Sequence, residues 1–208
     1  MNTLKTSFLR RAVCAVVSVL LIVTLAAGCD KESAIEGGLD SEATYYADIV
    51  IKDYGTITVE LYQNMAPITV ENFINLAESG FYDGLTFHRI MKGFMIQGGD
   101  PGGDGISDDN QETIVGEFES NGYDNPLSHK RGVISMARTG DPNSASSQFF
   151  IMHKDSPHLD GDYAAFGEVT EGIEVVDAVC ESAQPVDGNG KILASQQPVI
   201  ETITIRKK

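Results

Sequence analysis

Basic residues are scarce in this sequence, which has 15 lysines and arginines against 30 aspartates and glutamates in 208 residues. The formal net charge is -15. A chain this acidic repels the phosphate backbone, so we expect no nucleic-acid partner. Its surface is also not attracted to an anionic membrane, so any membrane attachment has to come from a lipid anchor.

The motifs of several enzyme classes are absent as well. No G-x-S-x-G element occurs, which argues against an α/β-type serine hydrolase. The 4 histidines lack the paired spacing of zinc ligands, so structural or surface roles are expected for them. The glycine pairs Gly98-Gly99 and Gly102-Gly103 do not complete a phosphate-binding loop.

A long apolar run occurs at the N-terminus, where basic residues precede small and apolar residues from 12 to 27. This order is typical of an export signal rather than of a membrane-spanning helix. Leu25-Ala26-Ala27-Gly28-Cys29 resembles the lipobox of bacterial lipoproteins, although leucine is commoner at the position of Ala26. The resemblance implies a signal peptide at 1–28, a lipid on Cys29 and an extracytoplasmic protein anchored to a bacterial membrane. A plain signal peptide with an incidental cysteine is the alternative.

Cysteine is also rare, with 3 in the chain. Cys14 lies in the expected signal and Cys29 is the expected lipid site, so Cys180 is alone in the mature domain and no disulfide can form within it. Cys180 continues the apolar face of a predicted helix, which favours a buried, unreactive thiol. Residues 29–44 are acidic and lack an apolar period, so we predict a flexible tether before a domain at 45–208.

Short segments of alternating polarity follow residue 45. Pro67 suits the first turn of a helix that Gly80 can end, and a second helix is predicted over 172–180. The strand signals predict a mainly β domain, a closed eight-stranded antiparallel barrel capped by two helices. The predicted strands are 47–52, 56–61, 85–91, 94–98, 132–137, 147–152, 164–169 and 198–206.

Two polar side chains stand among bulky apolar residues in Phe87-His88-Arg89-Ile90 and Phe94-Met95-Ile96-Gln97-Gly98-Gly99-Asp100. Arg89 and Gln97 can form fixed hydrogen bonds, while Phe94 and Met95 supply an apolar wall. No obvious base, nucleophile or metal ligand accompanies them. The combination favours a reaction without proton transfer or a covalent intermediate. Taken alone, a surface salt bridge for Arg89 and a core position for the aromatic residues are the ordinary alternatives.

With three later motifs, these segments resemble the cyclophilins, the barrel-type peptidyl-prolyl cis-trans isomerases, from about Tyr46 to Arg206. The later motifs are Gly132-Val133-Ile134-Ser135-Met136-Ala137, Ser147-Gln148-Phe149-Phe150-Ile151, and Leu159-Asp160-Gly161 with Phe166-Gly167. The resemblance implies an isomerase of X-Pro bonds in exported proteins that assists their folding, with proline-containing polypeptides as substrates and no cofactor. We also expect a monomer.

The chemistry agrees with this resemblance. Rotation about an X-Pro bond meets a barrier of roughly 18–20 kcal/mol because amide resonance is lost. The twisted proline nitrogen regains a lone pair, to which a fixed guanidinium can donate a bond worth roughly 1.5–3 kcal/mol. The resemblance assigns this donor to Arg89. It implies that Gln97 hydrogen-bonds the substrate backbone and helps to orient Arg89. It implies a substrate-binding surface of Phe94, Met95, Ala137, Arg138, Gln148, Phe150, His158, Leu159 and Tyr163.

Strand alternation places Gln148 and Phe150 on one face and Phe149 on the other, so we expect Phe150 in the pocket and Phe149 in the core. Two positions depart from many eukaryotic cyclophilins. His158 replaces a tryptophan that resembles the family's main anchor for the inhibitor cyclosporin, and Tyr163 replaces a histidine. We expect inhibitor binding to suffer more than catalysis.

Two other functions stay open. One is a non-catalytic module, on the same barrel, that binds proline segments or acts as a chaperone; Arg89 and Gln97 argue against it. The other is a structural surface lipoprotein, which a closed pocket would favour. No metal site is expected in the loop with Asp100, Asp104, Asp108 and Asp109, because the EF-hand spacing is missing, but calcium binding there is an open alternative.

Overall fold

The computed structural model describes residues 38–106 and 111–208. The expected signal, the expected lipid site Cys29 and the first part of the expected tether lie outside these residues. Within them, no helix combines the length and the apolar character needed to cross a bilayer. The described residues form strands β1 Tyr45–Ile51, β2 Gly55–Leu61, β3 Arg89–Met91, β4 Met95–Gly98, β5 Val133–Met136, β6 Phe149–Met152, β7 Ala165–Glu171 and β8 Ile200–Lys207, and helices α1 Pro67–Glu78 and α2 Ile173–Ser182.

All eight described strands join one antiparallel sheet in the order β3-β4-β6-β5-β7-β2-β1-β8. This confirms the mainly β class with two helices. The closed barrel is not shown, because β3 and β8 are the edge strands of this order and are not paired with each other. Instead, the N–H of Phe87 donates to the carbonyl of Pro198 at 2.9 Å, and that of Ile200 to the carbonyl of Leu85 at 2.7 Å. Residues 85–88 of the predicted strand at 85–91 thus lie outside a regular strand, and β3 comprises only Arg89–Met91.

Helix α1 packs on one face of the sheet through an aromatic cluster. The ring of Phe73 lies 5.3 Å from that of Tyr82, 5.5 Å from that of Phe149 and 5.2 Å from that of Phe166. All four side chains are fully buried. Burial of each is worth roughly 1.5–3 kcal/mol, so this cluster anchors the helix to the sheet.

A second, smaller apolar cluster lies on the opposite face, because neighbouring strand residues alternate between faces. Phe149 of β6 belongs to the main core, and its neighbour Phe150 belongs to the second cluster. Met95, Met152 and Leu159 surround Phe150 there. This cluster forms the base on which the candidate site is built.

Residues 38–44 differ from the flexible tether that the sequence predicts. The side-chain amide of Gln63 donates to two of their backbone carbonyls, at 2.9 and 2.7 Å. Thr44 and Lys208 exchange two backbone hydrogen bonds of 3.1 and 2.9 Å. The folded domain thus begins ahead of residue 45, because these bonds satisfy polar groups that a free tether would leave to water.

Cys180 lies on the buried face of α2, beside Val176 and Val179. Burial raises the pKa of its thiol to about 12. Because the thiolate is the reactive form, this thiol is unreactive, as the sequence predicts.

Candidate active site

The hairpin of β3 and β4 places Arg89 directly opposite Gln97. Its turn contains Gly93, whose φ of 82° is readily adopted by glycine. One guanidinium nitrogen of Arg89, Nη1, donates to Oε1 of Gln97 at 3.1 Å. The spacing of the two residues in the sequence therefore corresponds to a single cross-strand pair.

Gln97 is itself held by a chain of hydrogen bonds. Its Nε2 donates to Oε1 of Gln148 at 3.0 Å, and Nε2 of Gln148 donates to Oδ1 of Asp100 at 3.3 Å. The other oxygen of Asp100 accepts the backbone N–H groups of Asp104 and Gly105, both at 2.9 Å. This chain fixes the orientation of the Gln97 amide, so that its oxygen faces Arg89.

The other side of the guanidinium is held by a turn between α2 and β8. Nε of Arg89 donates to the carbonyl of Asn189 at 2.7 Å. Oδ1 of Asp187 accepts the N–H groups of Asn189 and Lys191, both at 3.0 Å, and so stabilises the turn. Sequence reasoning missed this turn: its composition predicts a turn, but nothing in it indicates contact with Arg89.

Gly190 joins that turn to β3. Its carbonyl accepts the N–H of Ile90 at 2.8 Å. Its φ is 86°, and a Cβ there would lie 2.5 Å from Cγ of Met91. Any other residue at position 190 would push the turn, and with it the Asn189 carbonyl, away from Arg89.

Arg89 is half-buried, and burial lowers the pKa of its guanidinium below its ordinary value. The charges of Tyr163 and Asp187 oppose this shift. Arginine nevertheless stays protonated in folded proteins, so the site holds a fixed cation. Partial burial strengthens any hydrogen bond that this cation donates to a bound substrate.

A cavity of about 130 Å³ lies in front of Arg89. It contains nine of the predicted site residues, which the structure brings together from five separate chain segments. Its lining combines apolar side chains with two arginines and one glutamine. The residues that line it are Arg89, Phe94, Met95, Gln97, Ala137, Arg138, Phe150, Leu159 and Tyr163.

The two other predicted site residues lie beside this cavity. Gln148 is buried behind Gln97 and faces a neighbouring cavity of about 80 Å³. His158 is exposed, and its ring stacks on Phe94 with 5.7 Å between ring centroids. His158 thus covers the outer side of Phe94 and does not line the cavity.

Phe150 forms part of the cavity wall, as strand alternation predicts, and is supported from two sides. The ring of Tyr163 meets it edge-on at 5.8 Å, and the ring of His129 stacks on it at 6.0 Å. Nδ1 of His129 lies 2.9 Å from Oδ1 of Asp160, and Nε2 lies 3.1 Å from the hydroxyl of Ser135. Burial lowers the pKa of His129, which favours the neutral ring. Sequence reasoning gave His129 a structural or surface role and missed this support.

The remaining histidines also have structural or surface positions. His88 is buried, neither of its ring nitrogens has a hydrogen-bond partner within 38–106 and 111–208, and burial lowers its pKa. Nδ1 of His153 accepts the N–H of Gly93 at 2.8 Å in the β3-β4 turn.

The aspartates of the glycine-rich loop organise its backbone. Asp100 accepts two N–H groups of the loop, and Asp104 accepts that of Ile106 at 2.9 Å. Asp108 and Asp109 lie outside the described residues. Across 38–106 and 111–208, no group of three or more acidic, histidine or cysteine side chains could hold a metal ion.

The family model of the cyclophilin-type peptidyl-prolyl cis-trans isomerases matches residues 46–207. A peptidyl-prolyl cis-trans isomerase of Acinetobacter baylyi is 35% identical over 184 residues, which cover 85% of this chain and 95% of that protein. A longer relative of Gibberella zeae, peptidyl-prolyl cis-trans isomerase-like 2, is 42% identical over 140 residues, which are 67% of this chain but 23% of that protein.

A solved structure has the same fold. The crystal structure of a cyclophilin-type isomerase from Cryptosporidium parvum superposes with a TM-score of 0.68 at 32% identity, covering 79% of this chain and 99% of that one. The same protein in the presence of the dipeptide Ala-Pro gives a TM-score of 0.67.

Proposed function

The chain belongs to the cyclophilin-type peptidyl-prolyl cis-trans isomerases. From this membership and from the sequence of residues 1–29 we propose that it isomerises X-Pro bonds of exported proteins while a lipid on Cys29 anchors it to a membrane. It is a peptidyl-prolyl cis-trans isomerase. A non-catalytic module that only binds proline segments is not favoured. The roles of single residues, the export of the clients, the anchor and a monomeric state are parts of the proposal.

One observation carries the proposed mechanism: Arg89 borders a cavity that also has apolar lining residues, and it is held on two sides by Gln97 and Asn189. A proline ring in the cavity would contact Phe94, Met95 and Phe150. The guanidinium would then donate to the proline nitrogen, which has a free lone pair only in the twisted state. Because the planar cis and trans forms lack that lone pair, the bond stabilises the transition state selectively.

The apolar wall adds to this selectivity. A twisted amide is less dipolar than a planar one, so an apolar cavity is less unfavourable for the twisted form. No proton is transferred and no covalent bond is made or broken. The half-buried backbone at Ala137 and Arg138 would pair with the extended backbone of the substrate, as in strand addition.

The anchor and the location are supported by the sequence of residues 1–29. A cleaved signal removes 3 basic residues, so the mature chain keeps 12 basic and 30 acidic residues, a formal charge of -18. Such a protein is not attracted to anionic lipid headgroups. Acyl chains on Cys29 would supply the membrane affinity. Uncatalysed X-Pro isomerisation takes tens to hundreds of seconds, and exported chains would benefit from its catalysis.

The activity is tested on the chain without residues 1–28, with a proline peptide whose cis and trans forms are followed by exchange NMR. We expect accelerated exchange in the unmodified chain and a strong loss in Arg89→Ala with an unchanged fold. Equal exchange rates in the two proteins would refute the role of Arg89. Binding of the peptide without acceleration by either protein would favour the binding module.

A further inference from the structure

Arg138 lies at the boundary of two neighbouring cavities. It lines the cavity of about 130 Å³ in front of Arg89 and also the adjoining cavity of about 80 Å³. The smaller cavity has a polar wall that includes the hydroxyl-bearing residues Thr139, Ser144 and Ser146. An extended substrate that leaves the proline cavity on this side therefore passes the side chain of Arg138.

Arg138 is held in place by neutral groups. Its Nε donates to the carbonyl of Asp162 and its Nη1 to the carbonyl of Thr139, both at 2.9 Å. Its guanidinium carbon lies 5.0 Å from the ring centre of Phe118 and 4.8 Å from that of Tyr163. Two carbonyls and two aromatic faces fix the position of the group without neutralising its charge.

Arg89 and Arg138 differ from the other described arginines in having no carboxylate partner among the described residues. The described residues contain four arginines. Arg131 pairs with Asp177 at 2.8 Å, and Arg206 pairs with Asp48. For Arg89 and Arg138 no carboxylate oxygen of a described residue lies within 4.0 Å. In a chain with twice as many acidic as basic residues, the two guanidinium groups without a carboxylate partner among the described residues border the same cavity.

A fixed guanidinium with free N–H groups is a preferred partner for a carboxylate. Nη2 of Arg138 has no hydrogen bond to a described residue, while Nε and Nη1 are engaged. The acidic body repels an acidic peptide at long range, but salt screens this repulsion beyond about 8 Å at physiological ionic strength. The long-range repulsion therefore does not prevent a carboxylate from contacting Arg138 directly.

We propose that Arg138 selects clients with an aspartate or glutamate close to the proline, by binding that carboxylate through its free Nη2. A strand rises about 3.3 Å per residue, so a side chain that reaches Arg138 from the proline cavity lies within about two residues of the proline. The proposal rests on the proposed mechanism, because it assumes that the substrate proline occupies the cavity in front of Arg89.

The test uses the full mature protein in detergent and peptides that carry glutamate or glutamine at each of the two positions before and after proline. The measured quantity is the ratio of kcat/KM for each glutamate peptide to that for its glutamine counterpart. A general loss of activity cancels in this ratio. We expect a ratio of about five to ten at one position or more, a modest value because Arg138 is half-buried.

In Arg138→Gln the ratio should fall to about one, and in Arg138→Lys it should be intermediate, because a point charge lacks the planar fork. Lys52→Gln is the matched control: Lys52 is exposed beyond the end of β1, and its loss changes the net charge equally. This variant should keep the ratio. A rise from 50 mM to 0.5 M salt should reduce the ratio in the unmodified protein.

Ratios near one at every position in the unmodified protein, or a preference that persists in Arg138→Gln, would overturn the proposal. Dissociation constants for the same peptides, measured by calorimetry, separate this failure from a failure of the mechanism. A preference in binding that depends on Arg138, without any turnover, would contradict the isomerase mechanism and support the acidic preference. Turnover of all peptides without a preference would support the isomerase mechanism and contradict the acidic preference.

Discussion

Nε of Arg89 donates to the backbone carbonyl of Asn189 across 2.7 Å, although 100 residues separate them in the chain. The opposite side of the guanidinium is held by Gln97, which is 8 residues away and directly opposite in the hairpin. A local pair and a distant turn thus fix one cation over the cavity. From the distant contact we expect the turn at Asp187 to position Arg89 for catalysis.

Asp187→Ala should lower kcat roughly three- to tenfold while KM changes little. The carboxylate holds the N–H groups of Asn189 and Lys191, and without it the carbonyl that orients Arg89 becomes mobile. An interaction realised in the transition state affects kcat rather than KM. Exchange NMR at several peptide concentrations measures both constants.

Asp155→Ala is the control, because Asp155 accepts one backbone N–H at 2.8 Å and is absent from the cavity wall. An unchanged kcat in Asp187→Ala would show that the turn is only structural.

Arg89→Ala should reduce kcat/KM by roughly ten- to a hundredfold, which corresponds to the loss of one charge-assisted hydrogen bond. Arg89→Lys should also be impaired, because an ammonium cannot bind Gln97 and Asn189 and still face the substrate. Circular dichroism should show an intact fold, since the side chain is only half-buried. Full activity in either folded variant contradicts the assigned donor.

Cys29→Ser should release the protein from membranes, because the acyl chains supply the affinity and the acidic surface supplies none. Fractionation of cells that express the two proteins measures this release. Mass spectrometry of the unmodified protein should show a lipid on residue 29. If the processed variant stays attached to membranes, another anchor exists.

His158→Trp should tighten cyclosporin binding about ten- to a hundredfold while peptide turnover changes much less. Burial of a large aromatic side chain is worth roughly 1.5–3 kcal/mol, and imidazole lacks most of that apolar area. His158 stacks on the outer side of Phe94 at 5.7 Å, beside the cavity rather than in it. Inhibition and turnover curves for both proteins test this prediction. Equal inhibition constants would mean that position 158 does not contact the inhibitor.

The free energy of unfolding should decrease as the pH falls below about 6.5. Burial lowers the folded-state pKa of His88 and of His129 from the ordinary value of 6.5. At a pH between 6.5 and the folded-state pKa values, these histidines are protonated in the unfolded chain but neutral in the folded chain. Protonation therefore favours unfolding in this pH range. The carboxylates of Asp160 and Asp177, whose pKa values are lowered from 3.8, add to this loss only at more acidic pH.

Urea unfolding at several pH values measures this loss. His88→Leu should flatten the decrease between pH 6.5 and 5, because it removes one of the two titrating groups and leaves no unpaired nitrogen in the core. His129→Gln is a second test if the first variant folds poorly. The control His158→Gln changes an exposed histidine and should keep the slope. A slope that persists in both buried-site variants rules out these histidines as its source.

The sequence alone determined the strands, the two helices and the division between Phe149 and Phe150. These depend on local periodicity, because a period of two and a period near 3.6 are visible in any short window. The motifs also identified the family and the nine residues that line the cavity. The export signal and the lipid on Cys29 are predictions from sequence only.

Only the tertiary structure decided what depends on contacts between distant segments. The Asn189 carbonyl that binds Arg89, the His129 ring behind Phe150 and the Asp162 carbonyl that binds Arg138 all lie far in sequence from the groups that they hold. The docking of residues 38–44 and the edge positions of β3 and β8 likewise depend on backbone pairing across the chain. A local pattern contains no information about which remote carbonyl or ring will satisfy a given side chain, because that choice is made when the sheet assembles.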